Sequence, residues 1–403
     1  MSGASPFADR FVLDPSIHYL NHGSFGACPR DILEAQSALR AELERRPAEF
    51  MVKRLPGMLA EVRAELGRFA GADPEGFVFV RNATNAVNAV ARSWDLRPGD
   101  EILTTSHSYG ACRKALEFIA PRRGARLVVA SLPFPIGGPD AIADAVLAAV
   151  TPRTRLAMLD HVTSPTAIVF PLERLVPALR ERGVESIVDG AHALGMLPLA
   201  LDRLGAAAYT ANAHKWLCAP KGAAILHVRE DLRRRIRPLA ISHGYEGGAG
   251  DTDGAGTVRF REEWDWTGTD DPTPWLTIPA CLRWLGELLP GGWPALVERN
   301  HALAVRGRSI LLDAFRAAEP CPEAMLGSTA SVPLPEGAPE SPVARLGPEA
   351  LTIWARERGV EPVFFPSPVD PGGKLVRISA QVYNHEEQYR VLAATLIEGL
   401  RPG

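Results

Sequence analysis

The sequence predicts an α/β fold, with a large domain built on a mainly parallel, seven-stranded type of sheet flanked by helices and a smaller α+β domain at the carboxyl end. Short apolar runs bounded by turn residues alternate with helical patterns, which is typical of βαβ units. With 403 residues, 46% of them hydrophobic, the chain can bury more core than one ordinary domain. We therefore expect an amino-terminal arm at 1–25, a large domain at 26–272 and a smaller domain at 273–403.

Each predicted strand is a short run rich in β-branched or other apolar residues that ends at a polar or turn residue. The predicted strands of the large domain are Phe77–Val80, Glu101–Thr105, Arg126–Ala130, Leu156–Leu159, Ser186–Val188, Ala207–Thr210 and Ala223–Val228. The smaller domain contributes the strand Leu375–Ser379.

Helical periodicity fills the intervals between these strands. The predicted helices are Ala86–Trp94, a helix from about Gly110 to Ala120, Pro139–Val150, Leu172–Arg182 and Leu199–Leu204. Helical patterning also dominates Trp275–Ala318. We expect a loop at the charged, glycine-rich stretch Gly244–Gly256. A Pro/Glu-rich segment, Glu319–Pro342, precedes the smaller α+β part of the chain.

Net charge and cysteine usage exclude several classes of function. The formal charge of -3 gives no reason to expect nucleic acid or an anionic membrane as a partner. No apolar run reaches about 18 residues, and the amino terminus lacks the pattern of a secretory signal. The five cysteines lack CxxC spacing, which indicates reduced, cytoplasmic thiols and argues against a metal site or a disulfide scaffold.

One lysine and one aspartate carry the strongest chemical signal. Lys215 stands in a turn of small residues after one predicted strand, and Asp189 ends the strand before it. Neighbouring parallel strands place their carboxyl ends at one edge of the sheet, so both side chains are expected to face one ligand. A lysine that binds a carbonyl covalently and a carboxylate that keeps a ring nitrogen protonated are the groups that pyridoxal phosphate chemistry needs. The plainer alternatives are a surface lysine and a helix-capping aspartate.

Polar residues at other strand ends extend this candidate site. Thr84 and Asn85 open a predicted helix, whose N-terminus is expected to offer free N–H groups to a phosphate dianion, although both residue types cap helices in many proteins. His214 is a second candidate phosphate donor, or a histidine that is merely hydrogen-bonded in place. Tyr109 is the first choice, and His107 the second, for an aromatic ring that lies over a planar cofactor.

Arg377 is a candidate for recognising a substrate carboxylate. It lies within the run Leu375–Ser379, directly after two apolar residues, so the pattern predicts a sequestered guanidinium. Such a planar fork suits bidentate capture of a carboxylate. The alternative is a salt bridge between domains.

Seven segments together resemble one known family. They are Tyr19–Gly26, Val80–Thr84, Leu159–Ser164, Val188–His192, His214–Gly222, Asp265–Pro272 and Arg377–Asn384. The chain resembles the class V aminotransferases, pyridoxal phosphate enzymes of fold type I, and within them most closely the isopenicillin N epimerases, which act in natural-product metabolism. The resemblance covers nearly the whole chain and is more specific for fold and cofactor than for reaction.

The resemblance implies a cofactor role for each matching residue. Lys215 matches the lysine that forms a Schiff base with pyridoxal phosphate, Asp189 matches the partner of the pyridinium nitrogen, and His192 matches the neighbour of the phenolic oxygen. With Tyr109, these three are the expected catalytic residues. Phosphate- or ring-binding positions are matched by Thr84, Asn85, His214 and Tyr109.

The resemblance also implies a substrate side and a partner subunit. Thr269 matches a residue that reaches the cofactor phosphate of the neighbouring subunit, which implies a homodimer with active sites at the interface. An amino acid is the implied substrate. The implied substrate-binding residues are Arg377, Asn21, Gly23, Ser24 and Ser164.

Departures from the family pattern reduce the number of reactions that the chain is expected to catalyse, but they do not select a single one. Cysteine desulfurases carry a mobile cysteine shortly before the matching arginine, but 359–376 contains none, and desulfurase-like relatives place asparagine where Ser164 stands. Epimerase-like chemistry at Cα is favoured, while a lyase, an aminotransferase and an oxygen-using oxidase stay open. An NAD-dependent oxidoreductase lacks support because no GxGxxG follows the first strand. A non-catalytic protein is disfavoured because Lys215 and Asp189 are both present.

Overall fold

The computed structural model describes residues 5–245 and 256–402 and contains one large and two small β-sheets. The strands in chain order are β1 (His18–Tyr19), β2 (Phe77–Val80), β3 (Glu101–Thr105), β4 (Arg126–Ala130), β5 (Thr154–Asp160), β6 (Glu185–Asp189), β7 (Ala208–Ala211), β8 (Ala224–Val228), β9 (Thr329–Leu334), β10 (Val360–Glu361), β11 (Val363–Pro366) and β12 (Lys374–Ser379). Every strand predicted from the sequence is present, with ends shifted by two residues or fewer.

The large sheet has seven strands in the order β2-β8-β7-β6-β5-β3-β4. Strand β8 is antiparallel to both of its neighbours, and the other pairs are parallel. The predicted mainly parallel sheet is therefore confirmed. Because helices cover both faces, the central strands read as unbroken apolar runs and are buried along their whole length, while the edge strand β4 is half-exposed.

Helices surround this sheet and continue into the carboxyl-terminal part. The α-helices are His22–Phe25, Arg30–Arg45, Leu55–Ala70, Ala83–Ser93, Gly110–Arg122, Pro139–Ala148, Leu172–Glu181, Leu201–Leu204, Gly256–Asp265, Thr273–Leu276, Ile278–Gly286, Gly292–Phe315, Pro342–Arg345, Pro348–Arg356 and Glu386–Gly399, with a π-helical turn at Glu49–Arg54. The helix after β2 begins three residues before its predicted start, because Asn82 caps it at Ala83. Among the described residues, no helix combines the length and the apolar character that a membrane crossing requires.

A small antiparallel sheet, ordered β11-β12-β9, holds Arg377 in its central strand. Strand β9 falls inside the Pro/Glu-rich segment Glu319–Pro342, where the sequence analysis places no strand. Its pairing with β12 overrides composition, and Pro333 is tolerated because β9 lies at the edge of this sheet. The predicted loop, Gly244–Gly256, lies largely outside the described residues.

The core is continuous across the predicted domain boundary at 272/273. Helices Thr273–Leu276 and Ile278–Gly286 pack against the helices Arg30–Arg45 and Leu55–Ala70 of the large domain. Leu59, for example, belongs to the same buried cluster as side chains from both sides of the boundary. The three-part division at 25/26 and 272/273 stays a prediction.

Candidate active site

A cavity of about 680 Å³ lies at the carboxyl edge of the parallel strands. Its walls come from the ends of β5 and β6, the start of the helix Ala83–Ser93 and the turn that follows β7. This volume lies within the range of small-molecule sites. The predicted site residues that line it are Ser24, Thr84, Asn85, Tyr109, Ser164, Asp189, His192, His214 and Lys215.

Lys215 presents a buried amine to this cavity. The residue is only 8% exposed, and its Nζ lies 3.1 Å from Nε2 of His192. Burial first, and then the charge of Arg377, lower the pKa of the amine to about 7. A substantial fraction of Lys215 is therefore neutral and nucleophilic at neutral pH.

Trp216 fixes the tautomer of His192. Its indole Nε1–H donates to Nδ1 of His192 over 3.4 Å, and a neutral imidazole whose Nδ1 accepts carries its hydrogen on Nε2. Burial lowers the pKa of His192 well below its usual value, so the ring is neutral at pH 7. The Nε2–H therefore points at Lys215, whose neutral amine can accept it.

Asp189 ends β6 and is held by two donors. Its Oδ1 accepts the backbone N–H of Ala191 over 3.0 Å, and its Oδ2 accepts the thiol of Cys112 over 3.2 Å. Burial raises the pKa of this carboxyl. Cys112 is not predicted from the sequence, since nothing local distinguishes it from a core cysteine on the helix Gly110–Arg122.

The N-terminus of the helix Ala83–Ser93 reaches the cavity, but two of its backbone N–H groups already donate hydrogen bonds to side chains of the protein. The amide of Asn85 donates to Oδ1 of its cap Asn82 over 2.8 Å, and the amide of Ala83 donates to Oδ1 of Asn212 over 2.9 Å. The sequence-based expectation of free N–H groups is therefore wrong for these two amides. The side chains of Thr84 and Asn85 line the cavity.

His214 faces the same part of the cavity with one nitrogen engaged. Its Nδ1 donates to the carbonyl of Ala223 over 2.9 Å, and burial lowers the pKa of the ring to about 4. The remaining nitrogen of the neutral ring is an acceptor. The predicted role of His214 as a phosphate donor therefore needs a second proton, which a bound dianion would favour.

Arg377 is buried without a carboxylate partner in the described part of the chain. Its Nη1 donates to both oxygens of Ser164, over 2.7 and 3.0 Å, and its Nη2 donates to Ser24 Oγ over 2.9 Å and to Asn21 Oδ1 over 3.4 Å. Its Nε is buried without a partner, and the residue is 1% exposed. A buried guanidinium held only by neutral acceptors is poised to bind an anion.

The amino-terminal segment 20–26 closes the site from the outside. His22 donates from Nε2 to the carbonyl of Lys215 over 2.9 Å, and Gly23 N–H donates to Ser379 Oγ over 3.0 Å. Gly26 has a φ of +70°, and a Cβ there would lie 2.0 Å from the carbonyl oxygen of His214. Only glycine allows this approach, so the segment seats directly on the Lys215 turn.

The structure does not bring every predicted residue to the cavity. Thr269 is exposed in the bend that precedes the helix Thr273–Leu276. Its neighbour Asp270 forms an ion pair with Arg81, which does line the cavity. Asn21 and Gly23 support Arg377 and the closing segment without lining the cavity themselves.

The less favoured aromatic, His107, lies away from the cavity lining. It is buried, and its Nδ1 lies 3.1 Å from Thr166 Oγ1. Tyr109, the first choice, does line the cavity and is 41% exposed.

Several lining residues are not predicted from the sequence. They are Phe25, Arg81, Asn82, Asn88, Asp160 and Asn212. Asp160 and Asn212 follow the apolar runs of β5 and β7 directly, the same signal that identified Asp189, so the pattern could have found both. Phe25 carries no such signal, because a single aromatic residue that does not follow an apolar run is uninformative.

The sequence matches a known family over most of its length. The profile described as aminotransferase class-V matches residues 33–392. The chain is 34% identical to an isopenicillin N epimerase of Streptomyces clavuligerus, over 96% of each chain. It is 30% identical to a probable chloroplastic L-cysteine desulfhydrase of Arabidopsis thaliana, over 97% of this chain and 84% of that protein.

Solved structures share the fold. A C-DES variant with glycine covalently linked to its pyridoxal phosphate cofactor superposes with a TM-score of 0.78 at 22% identity, covering 98% of this chain and all of the other. At this identity the similarity establishes the fold type I architecture alone.

We predict that the charge of Arg377 keeps the Lys215 amine reactive. Replacing Arg377→Gln removes a neighbouring cation, so the pKa of Lys215 should rise above about 7. Carbamylation by cyanate, quantified at Lys215 by peptide mass spectrometry, should then slow at pH 7, by about fivefold for a rise of one unit, because the neutral fraction of the amine falls. Arg377→Lys retains the charge and is the control; equal rates in all three proteins would contradict the prediction.

Proposed function

The chain belongs to the class V aminotransferase family of pyridoxal phosphate-dependent enzymes, and from this premise we propose that it binds the cofactor covalently through Lys215 and acts at Cα of an amino-acid substrate. One observation carries the proposal. A buried amine with a pKa of about 7 shares a cavity with the carboxyl of Asp189 and lies near the guanidinium of Arg377, which is hydrogen-bonded only to neutral oxygens of the described residues.

The donor set fits pyridoxal phosphate. Lys215 offers a neutral amine, Asp189 a carboxyl for the ring nitrogen, and His192 an Nε2–H for the phenolic oxygen. The phosphate would be held by Thr84, Asn85 and His214, and the ring would be covered by Tyr109. When bound, the cofactor supplies an electron sink for negative charge that develops at Cα.

The chain's own residues account for binding and proton movement. Arg377 orients the substrate by binding the substrate carboxylate. Its guanidinium is held in place by neutral oxygens and has no carboxylate partner among the described residues. Lys215 then acts as the base at Cα, because a pKa of about 7 suits proton transfer in both directions at neutral pH. Burial raises the pKa of Tyr109, so its phenol keeps its proton and is a candidate acid.

Epimerisation is the first candidate reaction. It requires two groups that exchange a proton with Cα, and the cavity offers Lys215 and Tyr109. The identity of 34% over nearly the full length of an isopenicillin N epimerase supports this assignment. We propose an epimerase-like enzyme of natural-product metabolism.

A lyase is the second candidate, favoured by the similarity to L-cysteine desulfhydrases. Loss of a substituent from Cβ needs one base and a leaving group, so it uses the same Lys215. The desulfurase reaction is less well supported, because it needs a cysteine at the substrate and the described residues lining the cavity include none.

We further propose a cytoplasmic homodimer with three-part chains divided at 25/26 and 272/273. All five cysteines are free, which fits a reducing compartment. Phe25 lines the cavity yet is 70% exposed, so its ring is available for a partner surface, and the exposed Thr269 fits a contribution to the partner's phosphate site.

The first test is covalent attachment. Wild-type protein incubated with pyridoxal phosphate should absorb near the edge of the visible range, and borohydride should fix the cofactor to the Lys215 peptide. Lys215→Ala should lose the label and turnover, whereas Lys114→Ala, on an exposed site, should keep both. A colourless, unlabelled wild type would refute the proposal.

The second test distinguishes the reactions. In deuterium oxide, isopenicillin N should gain one deuterium at Cα and appear as both epimers, since proton return from solvent accompanies inversion. L-Cysteine should give no sulfide if the enzyme is an epimerase; sulfide release without epimerisation would select the lyase. Lys215→Ala is the control for both substrates.

The third test concerns the shared site. Thr269→Ala and Lys215→Ala chains, each strongly impaired alone, should recover about half of the wild-type activity in a mixed dimer, because both lesions then fall in one active site. Verified heterodimers without recovery would rule out sharing.

A further inference from the structure

A second buried carboxyl stands beside Asp189. Asp160 ends β5, and in the parallel pairing of β5 and β6 it is the direct register partner of Asp189. Register partners on neighbouring strands point to the same face of a sheet. Both residues line the cavity, and each is 2% exposed.

The two carboxyls receive unequal support from hydrogen-bond donors. Asp189 has one donor for each oxygen, the amide of Ala191 and the thiol of Cys112. Asp160 has a single donor, the amide of Tyr109, which reaches Oδ1 over 3.2 Å. Its Oδ2 is buried and has no hydrogen-bond partner in the part of the chain that the structure describes. Donors stabilise the ionised form of a carboxyl, so Asp189 is the better anion of the two.

The groups around Asp160 carry too little positive charge to neutralise two carboxylates. The groups that face Asp160 are Asp189 from β6, Lys215 from the turn after β7, and Tyr109 and Cys112 from the segment after β3. Burial raises the pKa of both the phenol and the thiol, so neither is charged at pH 7. Lys215, with a pKa of about 7, supplies only a partial charge.

Burial, followed by the charge of Asp189, raises the pKa of Asp160 well above its usual range. Like charges that share a dry site cannot both ionise at low free energy. The geometry and the donor count therefore agree on which carboxyl is neutral.

We propose that Asp160 keeps its proton at neutral pH, so that the Asp160–Asp189 pair holds one negative charge and that charge resides on Asp189. Asp160 is then a positioning residue, which acts by leaving Asp189 as the anion for a cationic ring nitrogen. This last consequence rests on the proposed function; the protonation itself does not.

Infrared difference spectroscopy on the full-length protein, dialysed free of cofactor, tests the location of the proton. The carbonyl stretching band of a buried carboxylic acid should be present in the wild type at pH 7, absent in Asp160→Asn, and retained in Asp189→Asn. A band lost in Asp189→Asn and kept in Asp160→Asn would place the proton on Asp189 and overturn the proposal. A wild type without the band would also overturn it, even if Asp160→Asn failed to fold.

The pH dependence of unfolding gives an independent measure of whether the folded protein keeps a proton on Asp160. A carboxyl whose pKa is raised in the folded state stabilises the fold below its unfolded pKa of about 4, and this stabilisation is lost as pH rises. Asparagine does not titrate, so the folding equilibrium constant of Asp160→Asn relative to wild type should rise about tenfold per pH unit between pH 5 and pH 7.

The exposed variant Asp95→Asn is the control and should keep a constant ratio to wild type. A constant ratio for Asp160→Asn as well would overturn the proposal. Both measurements are made without cofactor, so failed borohydride labelling of Lys215 would refute the proposed function and leave these results standing.

Discussion

The site depends on one electrostatic constraint, the burial of two cations, Lys215 in the cavity wall and Arg377 behind Ser24 and Ser164. Among the described residues, Arg377 donates its hydrogen bonds only to neutral oxygens, and the amine of Lys215 lies against neutral His192. Burial, and then the charge of Arg377, lower the pKa of the Lys215 amine to about 7. Burying two cations destabilises the protein, and a bound anion would relieve that destabilisation. The arrangement that activates the amine therefore also favours the binding of a carboxylate or a phosphate.

Three parts of the chain enforce this arrangement. The large sheet aligns the ends of β5, β6 and β7, the small sheet carries Arg377 on β12, and the segment 20–26 joins them. His22 ties the segment to the Lys215 carbonyl, and its other nitrogen lies 2.8 Å from the hydroxyl of Tyr383. The reactive groups thus sit on rigid elements whose mutual positions are set by buried hydrogen bonds.

Much of the fold and of the candidate site could be predicted from the sequence, and what could not be predicted has physical reasons. Parallel strands buried on both faces produce apolar runs, so β2 to β8 and the polar residues at their ends, such as Asp189, could be predicted. Strand β9 could not, because pairing with β12 defines it rather than its own composition. Contacts between distant segments, such as the one from Cys112 to Asp189, likewise leave no local pattern. The occupied amide of Ala83 depends on such a contact too, because its acceptor is the side chain of Asn212.

The seating of Gly26 against His214 has a consequence for biosynthesis. Residues near the amino terminus must meet the middle of the chain and then the strand at 374–379, so these contacts span most of the polypeptide. Pairings of such long sequence separation form late, after loop closure has been achieved. On the ribosome, an emerging chain therefore cannot bury Lys215 beside Arg377 until the strand at 374–379 has left the exit tunnel.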